Sequence, residues 1–152
     1  SKNWLSFGGK IKNYLICLLG IFATFFSIET QADNTPIIVV NSATNPDFLL
    51  SQNTLNAIFG MRLRKWNSGL PIKVFVLPDD NPLHITFSKR ILHVFPYQLR
   101  SAWDRLVFSG TGEEPIKVES EQQMREMISS TPGAIGYLSR AMIDETVKVP
   151  SF

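Results

Sequence analysis

An α/β fold, a mixed or largely parallel sheet flanked by helices, is what the sequence predicts. Three observations carry it. Ile37-Ile38-Val39-Val40 is an uninterrupted β-branched run, the composition of a strand buried on both faces. Apolar residues elsewhere recur at helical spacing behind capping residues. The elements alternate as β-α-β-α-α-α-β-β, and strands alternating with helices bury their faces best as a sheet with helices packed on it.

Pro36 opens the first strand, and a polar loop from Asn41 to Asp47 follows, with Asn45-Pro46 as its turn. Ser51 precedes Thr54, and Leu55, Ile58 and Phe59 then form one stripe, so a short helix ends near Gly60. The basic stretch from Met61 to Trp66 leads to the turn Asn67-Ser68-Gly69, and a second strand runs from Ile72 to Leu77. Asn81 is a favoured N-cap and Pro82 a favoured first helical residue, with Leu83, Phe87 and Ile91 on one face. Phe95-Pro96 breaks that helix, because a residue before proline is pushed out of helical geometry. The next helix has Leu99, Trp103 and Leu106 on its stripe and ends in the loop Gly110-Thr111-Gly112 to Pro115. Ser120 with Gln123 forms a capping box for a helix that buries Met124, Met127 and Ile128. Thr131-Pro132-Gly133 stops it, Ala134 to Leu138 gives a third strand, and Thr146 to Val149 a last short one.

The first 32 residues differ from the rest. Lys2, Lys10 and Lys12 precede an apolar run from Tyr14 to Phe26, and Thr30-Gln31-Ala32 ends it, the pattern of a secretory signal peptide cleaved after Ala32. An uncleaved membrane anchor is the alternative, Tyr14 to Ile28 falling a little short of a full span. The expected domains are therefore a signal peptide, 1–32, and one folded domain, 33–152. The only cysteine, Cys17, lies in the leader, so the folded domain has no disulfide, cysteine nucleophile or thiolate metal site. That fits the periplasm. Three of the 15 basic residues and one of the 13 acidic ones also lie in the leader, which leaves 12 of each. A folded domain without net positive charge lacks the footprint of a nucleic-acid partner.

Chemistry concentrates in Leu77-Pro78-Asp79-Asp80-Asn81-Pro82-Leu83-His84. Asp79, Asp80, Asn81 and His84 make an oxygen-rich set able to take a cation or a polar solute. The plainer reading is that Asp80 and Asn81 cap the following helix and favour its positive end. His84 and His93 stand nine residues apart, too far for one local metal site, and both are expected at the surface or an edge. No metal site and no cofactor are expected. No Gly-x-Ser-x-Gly nucleophile turn occurs, and Ser109-Gly110-Thr111-Gly112 lacks the lysine and helix start of a phosphate loop, so catalysis is not expected. Between Arg62 and Arg105 lie eight basic residues against three acidic ones, interleaved with Trp66, Phe75, Tyr97 and Trp103. That pattern is either a docking face or aromatic core beside solvated charge.

Three segments carry a resemblance in the same order: Leu55 to Phe59 running on to Arg64-Lys65-Trp66, the strand Val74 to Leu77 with its helix, and Thr131-Pro132-Gly133-Ala134-Ile135-Gly136-Tyr137. From Ile37 to Leu138 the chain resembles the phosphate-binding proteins of bacterial ABC transporters, which are type 2 periplasmic binding proteins. The resemblance implies a single lobe of that two-lobed fold, since the chain is less than half the family's size and lacks its Gly-rich N-terminal strand-loop-helix. In the family the second strand ends in an arginine, followed by Asp-Gly-Ser-Gly-Thr at a helix start, which together bind phosphate through N–H groups, hydroxyls and the guanidinium. Here Leu77 stands for the arginine, Asp79 keeps the aspartate, and Asp80, Asn81, Pro82 and Leu83 replace Gly-Ser-Gly-Thr. Pro82 removes a donor, and Asp80 adds charge of the wrong sign. The resemblance thus implies a non-catalytic, exported accessory or interaction module with a degenerate phosphate site, serving a protein partner in the periplasm or inner membrane. It would act as sensor or adaptor, or pair with a second lobe from another chain. The alternative is a solute receptor that binds a small anion or cation, for transport or sensing.

Overall fold

A computed structural model of the chain describes residues 34–44 and 50–151. The expected signal peptide and the turn at Asn45-Pro46 lie outside the described residues. Five strands pair in the order β3-β2-β4-β1-β5. They are β1 (Pro36–Asn41), β2 (Lys73–Val76), β3 (Ile116–Lys117), β4 (Ala134–Ser139) and β5 (Val147–Lys148). The helices are α1 (Gln52–Phe59), α2 (Pro82–Arg90), α3 (Pro96–Ser109) and α4 (Glu121–Ser130), with a 3-10 turn at Arg140–Met142. β2 runs parallel to β3 and β4, whereas β1 is antiparallel to β4 and β5. The sheet is therefore mixed and flanked by helices, as the element order predicts.

The centre of the sheet is β4, buried at every position. Its partners align Ile38 with Tyr137 and Val74 with Ile135. Two glycines make this strand possible. A Cβ at Gly136 would lie 2.6 Å from Met124 Sδ and 2.7 Å from Ile128 Cδ1, so its absence lets α4 settle directly on the sheet. Gly133, at φ 79°, turns the chain into β4, and a Cβ there would stand 2.2 Å from the Pro71 carbonyl oxygen. The Gly133 carbonyl accepts from Lys73 N–H and from Trp66 Nε1–H, which closes the small hairpin around Asn67-Ser68-Gly69 onto the sheet.

The helix caps follow the local sequence. Ser51 Oγ accepts from Thr54 N–H, Asn81 Oδ1 from Leu83 N–H and Ser120 Oγ from Gln123 N–H, each satisfying a donor that the first turn leaves open. The Gln123 side chain reaches back to Glu119 N–H, one residue before the cap. At the far end of α4, Asn41 Nδ2 donates to the Ile128 and Ser129 carbonyls, so β1 caps that helix from across the fold. α3 is tied to α1 by Trp103 Nε1–H, which donates to the Phe59 carbonyl.

Two elements depart from expectation. β3 is absent from the sequence reading, because two exposed residues show no periodicity and exist as a strand only by pairing with Phe75 and Val76. Ile91 lies past the end of α2 and is half-buried, and the buried face of that helix is completed by His84 and Ser88. Both polar groups find partners inside: Ser88 Oγ donates to the Val94 carbonyl, and His84 meets Tyr137. No helix among the described residues is long and apolar enough to cross a membrane.

Candidate functional site

The turn from β2 into α2 is built on Tyr137. Its hydroxyl reaches across from β4, accepts the Leu77 N–H at 2.9 Å and stands 2.5 Å from His84 Nδ1. A phenol has one proton, and the Leu77 N–H occupies one of its lone pairs. The contact with Nδ1 is made either by the phenol proton or by Nδ1–H on the second lone pair, according to the imidazole tautomer. His84 is fully buried, with Nε2 enclosed and unpartnered. The expectation of a surface histidine is corrected here. As the third residue of α2 its side chain falls on the same face as Phe87, which stacks on Tyr137 at 3.9 Å between ring centroids. His93, in contrast, is exposed, at a positive φ of 56°.

Burial holds the His84 pKa below its ordinary value, with Asp79 opposing that shift and Arg100 adding to it. The imidazole is therefore neutral. Burial also raises the Tyr137 phenol above its usual range, so the hydroxyl keeps its proton.

Above this buried pair lies a charged layer that sequence reasoning missed. Arg100, on α3, binds Asp79 bidentately, with Nε 2.8 Å from Oδ2 and Nη2 3.0 Å from Oδ1. Its Nη1 donates to Glu114 at 2.7 Å and lies 3.9 Å from Asp104, and the guanidinium sits 5.1 Å from the centre of the Trp103 ring. The hydrogen bonds from Arg100 hold the Asp79 carboxyl below its usual value, against the opposing effect of burial. Nothing in the local sequence marks this contact, since Asp79 and Arg100 are 21 residues apart and meet only because α3 packs beside α2.

The four residues singled out in sequence do not converge. Asp79 faces Arg100, Asn81 Oδ1 caps Leu83, His84 is turned into the core, and Asp80 is exposed. The turn also closes on itself: Asn81 N–H donates to the Pro78 carbonyl, Leu83 N–H to Asn81 Oδ1 and Ile85 N–H to the Asn81 carbonyl, while Pro82 has no N–H. An anion at this helix start would find few donors and would face Asp80, Glu114 and Asp104 around a single arginine already engaged. Among the described residues no group of three or more His, Cys, Asp or Glu side chains is placed to hold a metal ion.

Of the aromatic residues interleaved with basic charge, Trp66, Phe75 and Trp103 are core. Tyr97 alone is exposed, stacked on half-exposed Phe95 at 5.7 Å with Lys89 over the Phe95 ring.

A family model described as a PBP superfamily domain matches residues 34–149. The chain belongs to the PBP superfamily. Solved structures show the same fold in proteins concerned with phosphate. An ABC-type phosphate transport receptor from Vibrio cholerae superposes with a TM-score of 0.59 at 19% identity, covering 76% of this chain and 45% of that one. A putative phosphate ABC transporter substrate-binding protein with bound phosphate, from Clostridium perfringens, gives 0.57 at 15% identity, covering 76% and 44%. PstS from Borrelia burgdorferi gives 0.58 at 16% identity, covering 77% and 46%. This PBP superfamily chain thus matches less than half the length of each of the three. No curated protein sequence matches it.

Proposed function

We propose that this PBP superfamily chain is a non-catalytic accessory or interaction module, exported to the periplasm, in which the β2–α2 turn no longer takes phosphate. The observation that carries the reading is the closed donor set of the turn: the N–H groups of Asn81, Leu83 and Ile85 are bonded within it, and Pro82 has none. The exposed Asp80 adds charge of the wrong sign, and the nearby Arg100 guanidinium is held by Asp79 and Glu114. Export is supported by the leader-like residues 1–32, and a protein partner in the periplasm or inner membrane by the exposed Phe95–Tyr97 stack.

Thermal unfolding of the full chain with phosphate, sulfate and divalent cations tests this. A ligand that binds only the native state at a hundredfold excess over its Kd adds about 2.7 kcal/mol of stability. With phosphate the expected change is none, and a clear rise in Tm would overturn the loss of the anion site. One observation favours a second reading, a receptor for a small ligand in transport or sensing: Asp80 is an exposed carboxylate with no partner among the described residues. A cation-induced rise in Tm that disappears in Asp80→Ala would establish that reading in place of the first.

A further inference from the structure

A concavity that shares no lining residue with the β2–α2 turn lies between α1, the end of α2 and α3. It has a volume of about 270 Å³. Its apolar wall is Leu92, Val94, Leu99 and Ala102, of which Leu92 and Leu99 belong to the core. Asn56, Arg62 and Gln98 contribute the polar lining.

Donors dominate the open hydrogen-bonding of that lining. Asn56 Oδ1 accepts from Gln52 Nε2, and Gln98 Oε1 accepts from Phe95 N–H, which leaves each oxygen one lone pair. Asn56 Nδ2, Gln98 Nε2 and the Arg62 guanidinium are open as donors. The Arg62 side chain folds back over the end of α1, where its Nε would lie 3.5 Å from a Cβ on Gly60. No salt bridge among the described residues engages Arg62, whereas Arg64, Arg100 and Arg125 each face at least one carboxylate.

We propose that this hollow is a binding site for small apolar monocarboxylates. The donors and the single guanidinium match one carboxylate, with charge-assisted bonds that a neutral ligand cannot make. The aliphatic wall matches an alkyl or aryl tail. A second anionic group would be placed against Leu92 and Val94, where it would lose water without gaining a partner. The volume lies just below the usual range for ligand pockets, roughly 300 to 1,000 Å³, and so selects a ligand about the size of benzoate.

The test is an NMR titration of the isotope-labelled full chain with benzoate, with its neutral analogue benzamide and with inorganic phosphate. Benzoate is expected to shift the amides of Asn56, Arg62 and Leu99 saturably, with benzamide about tenfold weaker. Arg62→Gln, a substitution of an exposed side chain, weakens benzoate about tenfold and leaves benzamide unchanged. Ala102→Leu, which fills the hollow, abolishes binding of both. Absence of saturable shifts with benzoate, equal affinity for benzamide, or shifts centred on residues 77–84 would each overturn the assignment. Phosphate shifts at Asp79 to Leu83 would instead count against the functional reading above, so the two fail separately.

Discussion

At Gly133 a single added carbon would stand 2.2 Å from a backbone oxygen, whereas Asp80, on the other segment that carries the family resemblance, extends into solvent. The two segments, 131–137 and 77–84, meet at the Tyr137 hydroxyl. In the first, three identities answer packing demands: Gly133 for a positive φ and a close approach, Gly136 for the seat of α4, and Tyr137 for the Leu77 N–H. In the second, packing demands end with Leu77, Leu83 and His84. The residues between them answer to charge and hydrogen bonding alone. Packing therefore fixes residues 133, 136 and 137 of this PBP superfamily chain, while it leaves residues 79–81 of the turn unconstrained.

The largest effect that would break this contrast is expected at Gly133. Gly133→Ala forces a left-handed backbone on alanine and drives its Cβ into the Pro71 carbonyl, and a loss of about 3 kcal/mol or more is expected by chemical denaturation. A loss below 1 kcal/mol, roughly that of a surface substitution, would show that the segment is no more constrained than the turn. Next is Tyr137→Phe, which leaves the Leu77 N–H and His84 Nδ1 without their shared partner inside the core. A buried donor left unsatisfied costs about 1–3 kcal/mol, and the same denaturation experiment reads it.

The smallest effect is in pH. Because burial lowers the folded-state pKa of His84 below 6.5, the unfolded chain takes up a proton first as pH falls. Stability is then level above 6.5 on this account and declines below it, by at most about 1.4 kcal/mol per pH unit for one proton. The charged groups acting on the ring are Asp79, which resists the decline, and Arg100, which deepens it. Asp79 itself, with its pKa lowered from 3.8, adds a further loss only in stronger acid. Denaturation curves for His84→Gln should lack the decline just below pH 6.5. If they match the native chain, the buried imidazole does not set the acid response.

Much of the fold was legible because its signals are local. Asn81-Pro82 announces a helix start by side-chain capping and a preset φ, and Ile37 to Val40 announces a buried strand by composition. Phe95-Pro96 separates two helices by a steric rule that involves only neighbours. Gly133 and Gly136 stood within the block that carried the resemblance, although only the packing explains them. The site was less legible. Asp79 was singled out for its acidity, but its partner lies on another helix, and an ion pair across 21 residues leaves no periodic trace. His84 was expected outside because a histidine at a polar helix start is ordinarily solvated. Here the phenol of a strand 53 residues away satisfies it.

By itself the sequence determined the class of fold, the order of the elements other than β3 and the chemical character of the β2–α2 turn, because their signals lie within a few residues. Tertiary structure alone decided that Arg100 occupies Asp79, that His84 belongs to the core, and that Arg62 faces an apolar hollow. The physical reason is common to all three. Burial and pairing are properties of surfaces brought together by packing, and helices α2 and α3 could be read from sequence without any indication of which faces they turn toward each other.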